Sequence, residues 1–496
     1  MSIGIYVFVV LLLTKNKADS KSDSSSENKE NPESDKSKVY NYNISGEINC
    51  IYSINDIYTN TSILSKEFQN INNTIINIYI NNNKIKYNNE YQFPLKGYYY
   101  IKYILNSEVY MDNMFKDIKN IISIESINIF SNSTIKILSM KSVFEGCSNL
   151  NNISINSSFD TSQLKSISKI FYRSGIESIN ITNFNTENIE DMSFMFYSTK
   201  LSNIEFIKDL KTNNVKNMSS IFKNCSFLEE INLSNFDTKN VIDMSGIFEG
   251  CSSLKELNLS KFNTRKVINM SSMFKDCKSL LNLNLQSFND KNVTDMSYMF
   301  YNCKSLALID IDTISFRAEN VIDLSYMFSH CESLTSLNLR NLYTKNAINM
   351  SHMFSDLYNL TELRADYLYT TNVKYMDFMF YNNLAINIDV KNFDTPNVET
   401  MEGMFWNCYY LTNINIQRFD TKKVINFDNM FTNCYNIKLL NLYSFNTLNC
   451  KNHFNDMFSG CDDHMIIIIS EKIENYENLL DIIIKSKFNI RFLYFN

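Results

Sequence analysis

Glycine and proline are nearly missing from this chain. Nine glycines and three prolines in 496 residues stand far below the usual ~7% and ~5%. So few glycines leave little material for the loops that cradle phosphates. Histidine is equally scarce: His330, His352, His453 and His464 stand apart, with no HExxH or paired-ligand spacing. No Ser/His/Asp or Cys/His arrangement can be built from them, and the dispersed carboxylates offer no pair for acid–base work. The chain therefore reads as no enzyme, with no catalytic residue, no metal and no cofactor. Excess basic charge is lacking too. Against 47 Lys+Arg stand 53 Asp+Glu, a net charge of −6, which argues against nucleic acid as a partner.

Long apolar runs are almost absent. The one at Ile3–Leu13 (IGIYVFVVLLL) is too short for a comfortable membrane helix, which needs ~20 apolar residues, and fits the apolar region of a signal peptide. No Lys or Arg precedes it, and the best cleavage point, Ala18, has Asn16 two positions before it. Residues 1–18 are read as a signal peptide, placing the protein outside the cell or on its surface; without cleavage the location would be cytoplasmic. No membrane span is expected beyond this leader. Residues 19–38 are almost wholly polar and cannot bury enough apolar surface to offset their ordering entropy, so a disordered linker is expected.

What the chain does have is repetition, the feature to seek first. A Met-Phe pair or close variant, usually followed by Cys three residues later, recurs through fourteen anchor phenylalanines from Phe115 to Phe458, with a modal separation of 26. A clean copy is LKELNLSKFNTRKVINMSSMFKDCKS, residues 254–279. Its first part alternates apolar and polar residues, the pattern of a short half-buried strand. Phe262-Asn263-Thr264 supplies an Asx turn. Met270, Met273, Phe274, Cys277 and Leu280 then fall at i, i+3, i+4, i+7 and i+10, one stripe of a helix, with Asn269 as its N-cap. The expected fold is an α/β repeat solenoid of leucine-rich-repeat type. It has about fourteen units of ~26 residues, each a short strand, turn and short helix, stacked into one continuous core. The solenoid is assigned to residues 109–461. A β-rich N-terminal module or cap is expected at 39–108, and a C-terminal cap at 462–496.

The units NMSSIFKNCSFLEEINLSNFDTKNV, from Asn217, and DMSGIFEGCSSLKELNLSKFNTRKV, from Asp243, resemble the BspA-type leucine-rich repeats of bacterial and protist surface proteins. The resemblance runs from Met111 to Cys461. It implies an exported, surface-anchored solenoid that adheres to host or matrix proteins or drives cell aggregation, with no shared catalytic motif. The partner would be a protein or surface ligand, with self-association as a further possibility. An intracellular interaction scaffold and a self-associating coat protein are the alternatives.

Nine of the eleven cysteines occupy the position three after the anchor, where a thiol acts as a small hydrophobe. A ladder of buried thiols is expected there, with disulfides or redox chemistry as the lesser readings. Cys50 and Cys450 lie outside the register. The strand-face row Asn232, Asn258, Asn284, Asp310, Asn338, Asn415 and Asn441 reads as a solvated face. Two outward rows, two before and one after the anchor, mostly hold Ser, Gly, Lys or Glu. Between Phe300 and Phe405 they hold Tyr298, Tyr301, Tyr326, His352, Phe378, Tyr381 and Trp406 instead. On adjacent helices these would form an aromatic stripe facing solvent, and Tyr and Trp are favoured interface anchors. These seven are the candidate partner-binding residues.

Overall fold

The computed structural model describes residues 46–68, 76–105, 109–129, 137–155, 161–181, 184–310, 317–469, 476–485 and 489–492, all within the unit Asn43–Asn496. The leader and the polar linker lie outside the described residues. Among the described residues no helix is long and apolar enough to cross a membrane.

The chain is a repeat β-solenoid of about 12 turns with almost no helix among the described residues, which corrects the α/β leucine-rich-repeat expectation. In residues 254–279 the reason is visible atom by atom. Met270, Met273, Phe274, Cys277 and Leu280 are all fully buried, so the helical spacing did mark the inward face. The backbone that buries them is nevertheless a run of turns. Ser272 and Asp276 sit at φ 56° and 60°, in the left-handed region that ends a right-handed helix. Alternate amides leave the coil altogether. The N–H groups of Met270, Ser272, Phe274 and Asp276 donate to the carbonyls of Asp295, Ser297, Met299 and Tyr301 in the next coil, at 2.8–3.0 Å. Those of Met273, Lys275 and Cys277 close three-residue turns onto Met270, Ser272 and Phe274. Bonds between coils thus replace the i→i−4 ladder and keep these buried peptide groups partnered. Asn269 is no helix cap: its Oδ1 accepts the Ser271 N–H at 2.9 Å while its backbone bridges to Asp243 and Asp295 in the adjoining coils.

Side chains repeat the same logic. The anchor rings form an unbroken internal stack from Phe115 to Phe458, with neighbouring centroids 5.3–6.0 Å apart. All eleven cysteines are free and buried, Cys50 and Cys450 included. The repeat thiols donate across the coils, Cys251 to the Phe222 carbonyl at 3.1 Å and Cys277 to that of Phe248 at 3.2 Å. The Thr of the Phe-Asx-Thr turn is also buried. Thr264 Oγ1 donates to the Asn289 carbonyl at 2.9 Å and accepts the Asn289 N–H at 2.7 Å, and Thr212, Thr238, Thr344, Thr370 and Thr421 repeat this double link. In the unit ending at Phe300, which packs on the longer unit ending at Phe328, Asp290 stands in for Thr. Its carboxylate accepts the N–H groups of Arg317 and Ala318, and burial raises its pKa.

At the N-terminal end the strands run in the order Ser178–Ile181, Asn152–Ile155, Ile121–Ile129, Gly46–Ile54, Gly97–Leu105, Ile76–Ile80, Asn83–Ile85. Pairing is parallel through the first three and antiparallel thereafter. The solenoid strands therefore continue directly into the preceding sheet. Asn81 and Asn82, at φ 47° and 67°, make the tight turn that joins the last two strands, a geometry asparagine tolerates. At the other end Leu439–Asn441, Ile466–Ile469 and Asn489–Phe492 pair in parallel. The helix Tyr476–Lys485 connects the last two.

Candidate functional site

The seven aromatic candidates do come together, on the outward side of the anchor segments. Tyr298 stacks on Tyr326 at 4.5 Å, Tyr326 on His352 at 4.3 Å, and His352 on Phe378 at 4.8 Å. Trp406 continues the row, tilted 6.1 Å from Phe378 and edge-on to Tyr381 at 5.5 Å. Tyr301 lies against both Tyr298 and Tyr326. Gly403 leaves a gap where the next ring would stand; a Cβ there would meet the Phe378 ring at 2.5 Å. Two features differ from expectation. The rings stand on turns rather than on helices, and each is half-buried by its neighbours instead of facing solvent freely.

The backbone beneath the stack is unusual. Tyr298, Tyr326, His352 and Phe378 have φ of 58°, 58°, 57° and 53°. Bulky residues rarely occupy this region, and each costs on the order of 1 kcal/mol or more in strain. Coils nearer the N-terminus put Ser220, Gly246 and Ser272 at the same place. Four consecutive strained aromatics are retained against that cost, and such outliers point toward function.

The electrostatics around the stack hold it neutral. Burial lowers the His352 pKa to about 4, opposed by the Asp356 carboxylate and assisted by His330, so the imidazole is uncharged at neutral pH and stacks as an aromatic ring. Burial likewise raises the Tyr298, Tyr301 and Tyr326 phenols. Lys275 places its ammonium 5.1 Å from the Tyr298 ring centre, a cation–π contact at the N-terminal end. Sequence reasoning missed this residue. It also missed the polar row beside the stack, two after each anchor. There Asp356, nearly buried, accepts from Tyr358 Oη at 3.1 Å and Asn382 Nδ2 at 2.8 Å, and lies 3.4 Å from His330 Nε2. The signal was present, since this row is Asn, Asp or Gly in most units, the types that tolerate positive φ. A smaller group of the same kind was overlooked as well: Tyr172 stacks on Tyr197 at 4.5 Å, with Arg173 5.1 Å from the Tyr172 ring.

The strand-face asparagines have local duties. Asn232, Asn258, Asn284, Asn338, Asn415 and Asn441 each accept the N–H two residues on, at 2.9–3.3 Å. Among the described residues no group of three His, Cys, Asp or Glu is placed to hold a metal ion.

These features define a repeat solenoid whose side chains form rows running from coil to coil. The family model described as "Mycoplasma protein of unknown function, DUF285" matches residues 109–232, 199–309, 308–367, 322–438 and 374–487, and the chain belongs to that family. No curated protein matches the chain.

Proposed function

We propose that the protein is an exported, non-catalytic surface scaffold that binds a protein partner through the aromatic stack Tyr298–Tyr326–His352–Phe378 and its neighbours Tyr301, Tyr381 and Trp406. The observation that carries this reading is the run of strained, half-buried aromatic rings over successive coils. Tyr and Trp anchors in such a setting dominate interface energies. The solenoid holds them on a rigid frame, so little ordering entropy is lost on binding. Export rests on the apolar run at residues 3–13, and the adhesive role on the resemblance of the units to BspA-type repeats. The test is capture of host-surface and matrix proteins by the secreted full chain. Replacing Trp406 and Phe378 with Ser should leave the fold intact and weaken capture by about thirty-fold or more. Capture equal to that of the parent excludes the stack as the binding surface.

A further inference from the structure

A second exposed row, six residues before each anchor, is self-complementary. In chain order it reads Lys165, Glu190, Lys216, Ile242, Ile268, Thr294, Ile322, Ile348, Lys374, Glu399 and Ile425. Each residue from Glu190 onward donates its N–H to the carbonyl of the one before, at 2.7–2.9 Å. The row is therefore a regular ladder with one residue per coil and a spacing of ~4.8 Å. Its five isoleucines are 36–53% exposed, although isoleucine is among the residues most often fully buried. Over the ten coils from Lys165 to Glu399, apolar surface fills the centre and ion pairs flank it: Glu190 bonds Lys216 at 2.7 Å with Lys165 at 3.7 Å, and Lys374 lies 3.1 Å from Glu399.

We infer that this ridge is the interface of a two-fold symmetric dimer, its occupant a second copy of the chain laid antiparallel. An isologous contact requires a patch that complements itself when reversed, and this row does. With the axis between the Ile268 and Thr294 coils, Ile242 faces the second copy's Ile322 and Ile268 its Thr294. Lys216 rests its stem on Ile348, Glu190 meets Lys374, and Lys165 meets Glu399. Charge selects this register. One coil further along, centred on Thr294, Lys216 would face Lys374 and Glu190 would face Glu399, like charge on like. Ten coils give a strip ~45 Å long, and with its flanking rows ~15 Å wide it covers on the order of 650 Å² a side, somewhat below the ~800 Å² per partner of a standard interface. The dimer is accordingly weak and forms with rising concentration. It uses a row separate from the aromatic stack and does not depend on the role given to that stack.

Sedimentation velocity of the full chain over a concentration series tests the assignment, with circular dichroism checking each variant's fold. The parent should shift from monomer to dimer. Ile242→Glu with Ile322→Glu should remain monomeric. Glu190→Lys should weaken dimerisation at least about ten-fold by setting Lys against Lys, and adding Lys374→Glu should restore it. Positions 190 and 374 are seven coils apart in one chain, so that rescue can only act between copies. A parent that stays monomeric at the highest soluble concentration overturns the inference. So does a dimer indifferent to the isoleucine changes, or a charge swap that fails to rescue.

Discussion

At the scale of single residues, this solenoid gives small polar side chains structural duties usually left to the backbone. Thr264 is buried yet makes two bonds to the next coil, so Thr264→Val should cost about 1–3 kcal/mol by stranding the Asn289 groups. Thr264→Ser should cost clearly less, and denaturant midpoints distinguish the two. The thiols are the apolar counterpart. Burial raises Cys251 and Cys303 well above the usual thiol range and Cys331 to about 12, leaving almost no thiolate at neutral pH. Native protein should resist alkylation at these positions and react after denaturation, with mass spectrometry as the readout. His352 supplies a pH dependence. Its folded pKa of about 4 lies below the unfolded value of ~6.5, so the unfolded chain binds the proton first. The stabilising contribution is complete above pH ~6.5 and is lost as pH falls toward about 4. His352→Phe should flatten the stability–pH curve in that window, compared with the parent by thermal melts.

At the scale of the element, the left-handed residues distinguish turns from helix. Ser272 has φ 56°, where glycine fits without strain and a β-branched residue does not. Ser272→Gly should be neutral or stabilising, and Ser272→Ile should destabilise by about 1–3 kcal/mol. A helix would give the reverse order, since glycine inside one costs ~1 kcal/mol. The anchor rings set the other element-scale term. Phe274 is fully buried between Phe248 and Phe300, and Phe274→Ala should cost about 3–5 kcal/mol.

At the scale of the whole molecule, each coil bonds mainly to its two neighbours, so stability is a sum of unit and interface contributions. Hydrogen exchange after Phe274→Ala should show protection lost in the adjoining coils and retained in distant ones. Uniform loss would contradict a solenoid. The aromatic stack and the isoleucine ridge both owe their continuity to this stacking, because each takes one residue from each successive coil.

How much of this was legible depends on which physical property each residue reports. Period, inward face and coil stacking could be read directly, because apolar residues must leave water whatever the backbone does. The buried Met270, Phe274 and Cys277 and the assembled aromatic candidates follow from that. The helix was misread because spacing of i, i+3, i+4 and i+7 specifies which side chains share a face, while a run of turns with left-handed corners produces the same sharing. The Asn, Asp and Gly two after each anchor carried the correction, but in a chain with 74 asparagines the signal blended into composition. Only the tertiary structure decided that alternate amides bond to the next coil, that the Thr side chains form a ladder, and that Lys275 and Asp356 flank the aromatic rows. Those contacts join residues about 26 positions apart, and their geometry is set by the stacking of coils rather than by any local stretch of chain.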